Sequence, residues 1–321
     1  MQAVNSSKFD CTSTCTSNRG CKYVDAFPSL IKFIVWLFAR LPLRINHWLG
    51  ALAGRVAYAL APRLRRLTNE NLALYFVSQK ISDAAAQGAL RNAAIRESGK
   101  GFTELAIAWT APRERLYALV TACSGWEHAQ AAAARNKGII FVTPHLGCYD
   151  IAGRYLESRL PVVALYRPPK LSWLEPLMEA GRVRGGSATA PAGTRGVRVL
   201  LKTLKIGGNI IILPDQVPGQ GDGVWADFFA RPAYTMTLLA RLQQSTDATV
   251  LFFFAERLPR GHGYHVHILP LAEALSSGKE ASAREVNAMV ERLVVMAPAQ
   301  YLWSYNRYKR PAGAPVPPNV L

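Results

Sequence analysis

From residue 138 onward, short apolar runs rich in Val, Ile and Phe alternate with stretches of helical periodicity, and this alternation leaves few folds open. Runs at 138–143, 161–166, 209–213, 249–255 and 264–269 read as strands. Segments 147–159, 171–183, 194–206, 233–245 and 282–296 read as helices. Helical crossovers between strands imply an α/β fold, a mixed, mainly parallel sheet flanked by helices. Ahead of it, residues 68–136 read as helices, with Ala-rich turns at 84–94 and further segments at 101–109 and 114–121. In α/β sheets, ligands collect beyond the carboxyl ends of the strands.

Three strands end in polar residues. The run Ile139 to Val142 leads through Thr143 and Pro144 to His145, and Asp150 follows in the next helix. Five helical residues turn the chain by about 500°, so His145 and Asp150 meet only if the histidine lies in the loop before the helix. Asp150 would then hold one imidazole nitrogen and leave the other to take a proton from a hydroxyl. That arrangement suits acyl transfer to an alcohol without a covalent enzyme intermediate. The second strand ends at Arg167, placed to neutralise a phosphate or an oxyanion. The third ends at Asp215 and Gln216, where Asp215 would orient Arg167 or Gln216 would contact substrate; both readings stay open.

Charge and hydropathy point to a lipid surface. Lys and Arg total 38 against 21 acidic residues, a formal charge of +17, which calls for an anionic partner. Residues 29–62, the body of a segment 28–66, are apolar but interrupted by Lys32, Arg40, Arg44 and Arg55, short of the roughly 20 apolar residues a spanning helix needs. They are expected to associate with a membrane, lying in its interface or spanning with snorkelling arginines; a buried helical hairpin is the plainer alternative. Arg63, Arg65 and Arg66 suit a cytoplasmic end. The scattered charge, with no aromatic-basic motif, argues against nucleic acid.

Residues 1–27 read as a disordered leader, 67–311 as the catalytic domain and 312–321 as a flexible tail. Cys11, Cys15 and Cys21 have no nearby His or fourth Cys to complete a zinc site. Arg195, Arg198, Lys202 and Lys205 recur at helical spacing as a solvated face. His265 and His267 alternate with apolar residues as one exposed strand face, so no metal is expected there, and no cofactor elsewhere. The glycine-rich stretch Gly219 to Gly223 leads into Val224-Trp225 rather than a helix and reads as a flexible loop over the site, not a dinucleotide cradle.

Five segments taken together resemble the bacterial lipid A biosynthesis acyltransferases, the family of lauroyl and myristoyl transferases that add secondary acyl chains. They are Thr143 to Asp150, Tyr166-Arg167-Pro168, Leu213 to Gln216, Asp227-Phe228-Phe229 with Ala233 and Thr235, and Pro298 to Trp303 before Arg307. The resemblance runs from about Phe27 to Pro311. It implies a glycerolipid-acyltransferase-like fold and transfer from an acyl carrier protein thioester to a hydroxyl of a lipid A precursor, an anionic glycolipid. It also implies His145 as general base with Asp150 orienting it, Arg167 and Asp215 in support, and a place at the cytoplasmic face of the inner membrane. Many members of the family carry tryptophan and glutamate at the positions of Tyr149 and Asp150, and glycine at that of Ala230. An ornithine-lipid or lysophospholipid acyltransferase is therefore the enzymatic alternative. A basic membrane-surface binding protein is the non-enzymatic one.

Overall fold

The computed structural model describes residues 26–166, 188–191, 193–219 and 221–318. Arg167 and the helix expected at 171–183 lie outside the described residues, as does the leader up to residue 25.

Five helices come first: α1 (Ala26–Arg40), α2 (Leu43–Leu60), α3 (Pro62–Ser78), α4 (Ala84–Thr110) and α5 (Arg113–Ala118). Pro62 opens α3 in the first turn, where its missing N–H leaves no helical bond unmade. Asp83 caps α4, its carboxylate accepting from the N–H groups of Ala85 and Ala86. α2 turns Leu43, Asn46, His47, Gly50, Ala51 and Gly54 inward, the spacing of one helical face. Two of these are glycines because α4 passes very close: a Cβ on Gly99 would stand 2.0 Å from the Gly50 carbonyl oxygen. Among the described residues, no helix is long and apolar enough to cross a membrane.

The rest is the mixed α/β unit that the alternation implied. Its elements are β1 (Val120–Ser124), α6 (Trp126–Ala134), β2 (Ile139–Val142), α7 (Tyr149–Glu157), β3 (Val162–Tyr166), β4 (Ala188–Pro191), α8 (Thr194–Lys205), β5 (Asn209–Ile212), β6 (Gly223–Phe228), β7 (Arg231–Met236), α9 (Leu238–Thr246), β8 (Thr249–Arg257), β9 (Tyr264–Pro270) and α10 (Lys279–Met296). Among the described residues, seven strands form one sheet in the order β1-β9-β8-β2-β5-β3-β4, every neighbouring pair parallel except β8–β9. β2 lies near the middle, and Ile139, Ile140, Phe141 and Val142 are wholly buried, as a strand covered on both faces must be. Leu200 and Leu204 of α8 pack inward while Arg195, Arg198, Lys202 and Lys205 face out, the expected solvated stripe.

Two expectations were displaced. The helix read at 114–121 stops at Ala118, and Val120–Ser124 becomes the edge strand β1. The helix read at 233–245 begins only at Leu238, because Arg231–Met236 pairs with Gly223–Phe228 as a separate antiparallel hairpin. Its β-branched and aromatic residues fit a pleated strand as well as they fit a helix face, and only the pairing decides between them.

The helical layer is bolted to the sheet by buried charge. Arg257, at the end of β8, grips Glu104 of α4 with Nε and a terminal nitrogen, both at 2.6 Å, and reaches Glu97 at 2.8 Å. His47 of α2 donates to the same Glu104 at 2.5 Å. Burial alone would raise the Glu104 carboxyl, but Arg257 and His47 hold it down at about 2.

Candidate active site

The parallel register of β2 and β5 builds the site. Val142 pairs with Ile212, and the next N–H, of Thr143, donates to the Ile212 carbonyl at 3.1 Å. His145 and Asp215 each lie three residues beyond that level, so neighbouring strands deliver them side by side. The two are locked by two bonds: the backbone N–H of His145 donates to Asp215 Oδ2 at 2.8 Å, and ring Nδ1 meets Oδ1 at 2.7 Å. The Asp215 side chain is 3% exposed and that of His145 14%. Burial pushes the Asp215 carboxyl up, but His145, through its charge and both hydrogen bonds, and the nearby Arg307 bring it below its ordinary value. Asp215 is therefore a carboxylate at neutral pH, and Nδ1 carries the proton between them. Ring Nε2 is left as the basic nitrogen, and Gln216 Nε2 caps it at 3.0 Å.

The expected partner of the imidazole was Asp150, and here the structure corrects the sequence reading. Asp215 takes Nδ1 and Gln216 takes Nε2, while Asp150, in the first turn of α7, lines the cavity beside them. The loop joining β2 to α7 decides this. Leu146 bridges Tyr301, Gly147 bridges Ala255, the Leu302 N–H donates to the His145 carbonyl, and Cys148 N–H donates to the Ala255 carbonyl. Gly147 has φ +60, and a Cβ there would lie 2.0 Å from the Ala255 oxygen, so glycine is required. Pinned on both sides, the loop sends the imidazole toward β5 rather than along α7.

The cavity is about 570 Å³, within the ordinary range for a small-molecule or chain-binding site. Thr143, His145, Asp150 and Gln216 are among its polar lining residues. Leu165, Ile211, Leu213, Met236 and Leu238 supply apolar wall. Tyr149 sets its ring edge against the imidazole, centroids 5.0 Å apart. Gly219 and Asp222 of the glycine-rich stretch also reach the wall, so that loop borders the site. Cys148 takes no part as a nucleophile: burial pushes its thiol well above its ordinary value.

Arg307, which the sequence marked only as part of the family resemblance, proves to support the site from within the core. Arg307 is 2% exposed and donates to the Tyr234 carbonyl, Thr235 Oγ1 and Asn287 Oδ1. Burial lowers its pKa, and its charge helps keep Asp215 ionised. A lone arginine after an aromatic stretch gave no sign that it was buried.

A family model described as bacterial lipid A biosynthesis acyltransferase matches residues 18–310. The chain is 29% identical over 289 residues to a lipid A biosynthesis lauroyltransferase of Escherichia coli (strain K12), covering 88% of this chain and 91% of that one. It is 27% identical over 285 residues to a lipid A biosynthesis palmitoleoyltransferase of the same organism, covering 87% and 90%. A lipid A biosynthesis acyltransferase of Haemophilus influenzae is 31% identical over 180 residues, 56% of each chain. The parallel strands, the buried His145–Asp215 pair and the match along nearly the whole length agree, and the chain belongs to the bacterial lipid A biosynthesis acyltransferase family.

Proposed function

We propose that this acyltransferase moves a fatty acyl chain from an acyl carrier protein thioester to a hydroxyl of an anionic lipid A precursor, at the cytoplasmic face of an inner membrane. The observation that carries the reading is the His145–Asp215 pair opening onto a cavity with an apolar wall. The acceptor hydroxyl takes the place of the Gln216 amide at His145 Nε2 and gives its proton to that nitrogen. Its oxygen attacks the thioester carbon as the imidazolium forms against the Asp215 carboxylate. When the carbon–sulfur bond breaks, His145 returns the proton to the departing thiolate. Holding chain and hydroxyl side by side supplies much of the rate. Asp150 serves from the cavity wall, and Arg167, next in sequence after Tyr166, neutralises acceptor phosphate or the oxyanion.

Residues 28–66 form the membrane-associating part and 67–311 the catalytic part. Outward from α4, α2 exposes Ile45, Trp48, Leu52, Val56 and Leu60, a continuous apolar stripe. Arg40, Arg44, Arg55, Arg63, Arg65 and Arg66 are exposed around it. Apolar side chains rimmed by cations suit a helix lying in an anionic interface.

The test is transfer by purified protein, with a lipid A precursor, a lysophospholipid and an ornithine lipid offered in parallel against one acyl-carrier donor. The expected result is product on the lipid A precursor alone, reduced about 10²–10⁴-fold by His145→Ala in a folded variant. Undiminished turnover by that variant overturns the mechanism; product on another lipid overturns the acceptor.

A further inference from the structure

Glu256, His265 and His267 come together on one face of the β8–β9 pair, outside the set of residues that lines the cavity. The alternation of β9 puts both histidines on the same side, opposite the buried Tyr264, Val266 and Ile268. The antiparallel register sets Glu256 across from His265 and Phe254 across from His267. Glu256 then reaches diagonally, its Oε2 2.9 Å from His267 Nε2. The two imidazole centroids are 4.0 Å apart with planes tilted by 33°, and Phe254 stacks on the His267 ring. One donor atom from each of the three side chains lies within 4.8 Å of the others.

We propose that Glu256, His265 and His267 bind a divalent transition-metal ion of the zinc class, two imidazole nitrogens and one carboxylate oxygen forming its protein ligands. A mixed nitrogen and oxygen donor set suits zinc, whereas magnesium and calcium take oxygen shells and copper(I) prefers sulfur. A His-x-His pair on one strand with a third ligand from its neighbour presents three donors to one point, leaving a fourth position for water. Zinc bonds of about 2.0–2.2 Å need donors roughly 3.3 Å apart, a small rotation away. Ser124 of β1 lies at 2.7 Å from His265 Nε2, placed to orient that ring from outside the ligand set. His262 stands apart, exposed and bonded to Arg44.

The ion lies outside the catalytic cavity and links strands. It joins β9 to β8, and through Ser124 to the edge strand β1. Glu256 sits between Ala255, which accepts from Cys148 in the catalytic loop, and Arg257, which the Gln300 side chain grips through its backbone N–H and carbonyl. Securing this edge therefore steadies the strand on which that loop rests. The sequence reading rejected a metal because it saw two histidines on a strand and could not place Glu256 beside them.

The experiment uses the full chain without affinity histidines, stripped with a chelator and titrated with Zn²⁺ and, separately, Co²⁺. One equivalent of Zn²⁺ should bind and raise the melting temperature, and the Co²⁺ spectrum should lack a thiolate charge-transfer band. Binding should vanish in the His265→Ala/His267→Ala variant and weaken roughly 10–100-fold in Ser124→Ala. Glu256→Gln, which preserves shape and a hydrogen-bonding amide, should also bind at least tenfold more weakly and covers the case in which the double variant does not fold. Equal stoichiometry in wild type and variants, with a thiolate band, would place the ion on Cys11, Cys15 and Cys21 and overturn the proposal. Absence of binding at micromolar metal would leave a hydrogen-bonded cluster only and equally overturn it.

Discussion

Asp215 is buried against His145 while Asp150 lines the cavity, and the difference between them lies in what each touches. From a buried position Asp215 accepts from the His145 backbone N–H and from ring Nδ1, so it sets both the tautomer and the direction of the ring. Asp215→Asn is expected to lower kcat by about 10³–10⁴-fold with the fold intact, since an amide no longer favours Nδ1–H or stabilises an imidazolium. Asp150→Asn should cost markedly less. Steady-state kinetics on both variants, alongside circular dichroism, decides the order, and a larger loss at Asp150 would return the orienting role to it. Because the Asp215 pKa is depressed, its charge is present above the usual carboxylate range and is lost only as pH falls through a lower value. Acidification from neutral to about pH 5 should thus leave this carboxylate ionised.

At the scale of elements, the β6–β7 hairpin explains a departure from the family pattern. Phe228 pairs with Arg231, so Phe229 and Ala230 make a two-residue turn, with φ +46 and +58. Such turns favour residues that tolerate positive φ, and glycine does so without a Cβ penalty. Phe229 is 2% exposed, packed against Tyr75 and Trp303, so its side chain is needed; Ala230 is exposed and carries strain without a comparable contact. Ala230→Gly is expected to stabilise the protein by about 1 kcal/mol, read as a higher denaturant midpoint at unchanged slope. A lower midpoint would mean that the turn relies on the methyl group. This hairpin also carries Thr235, which accepts from Arg307, so its geometry bears on the support of Asp215.

Over the whole molecule, the +17 charge and the exposed apolar face of α1 and α2 act together. Trp48 is 67% exposed in the middle of that face, and Arg40 stacks over Trp36 at 4.0 Å. Returning each such side chain to water costs about 1.5–3 kcal/mol, roughly tenfold or more in partition. Trp48→Ser with Leu52→Ser should therefore release the protein from vesicles containing anionic lipid in a sedimentation assay, without altering the His145 site. Unchanged sedimentation would assign membrane attachment to another surface. The Gly50–Gly54–Gly99 approach joins α2 to α4 and the Glu104–Arg257 pair joins α4 to the sheet, so the apolar face is held in a set relation to the cavity.

The sequence alone determined the α/β alternation, the central strand that delivers His145 and the family, because these depend on local periodicity and on motifs contiguous in the chain. It also put Asp215 and Gln216 at a strand end, yet paired His145 with Asp150, its nearer neighbour along the chain. Only the tertiary structure decided otherwise: the Val142–Ile212 register brings residues seventy positions apart to one level, and the pinned loop at Gly147 turns the ring toward them. Buried Arg307, the Glu104–Arg257 pair and the meeting of Glu256 with His267 were hidden for the same reason. Contacts between distant elements follow from strand order and register, which hydrophobic period does not encode.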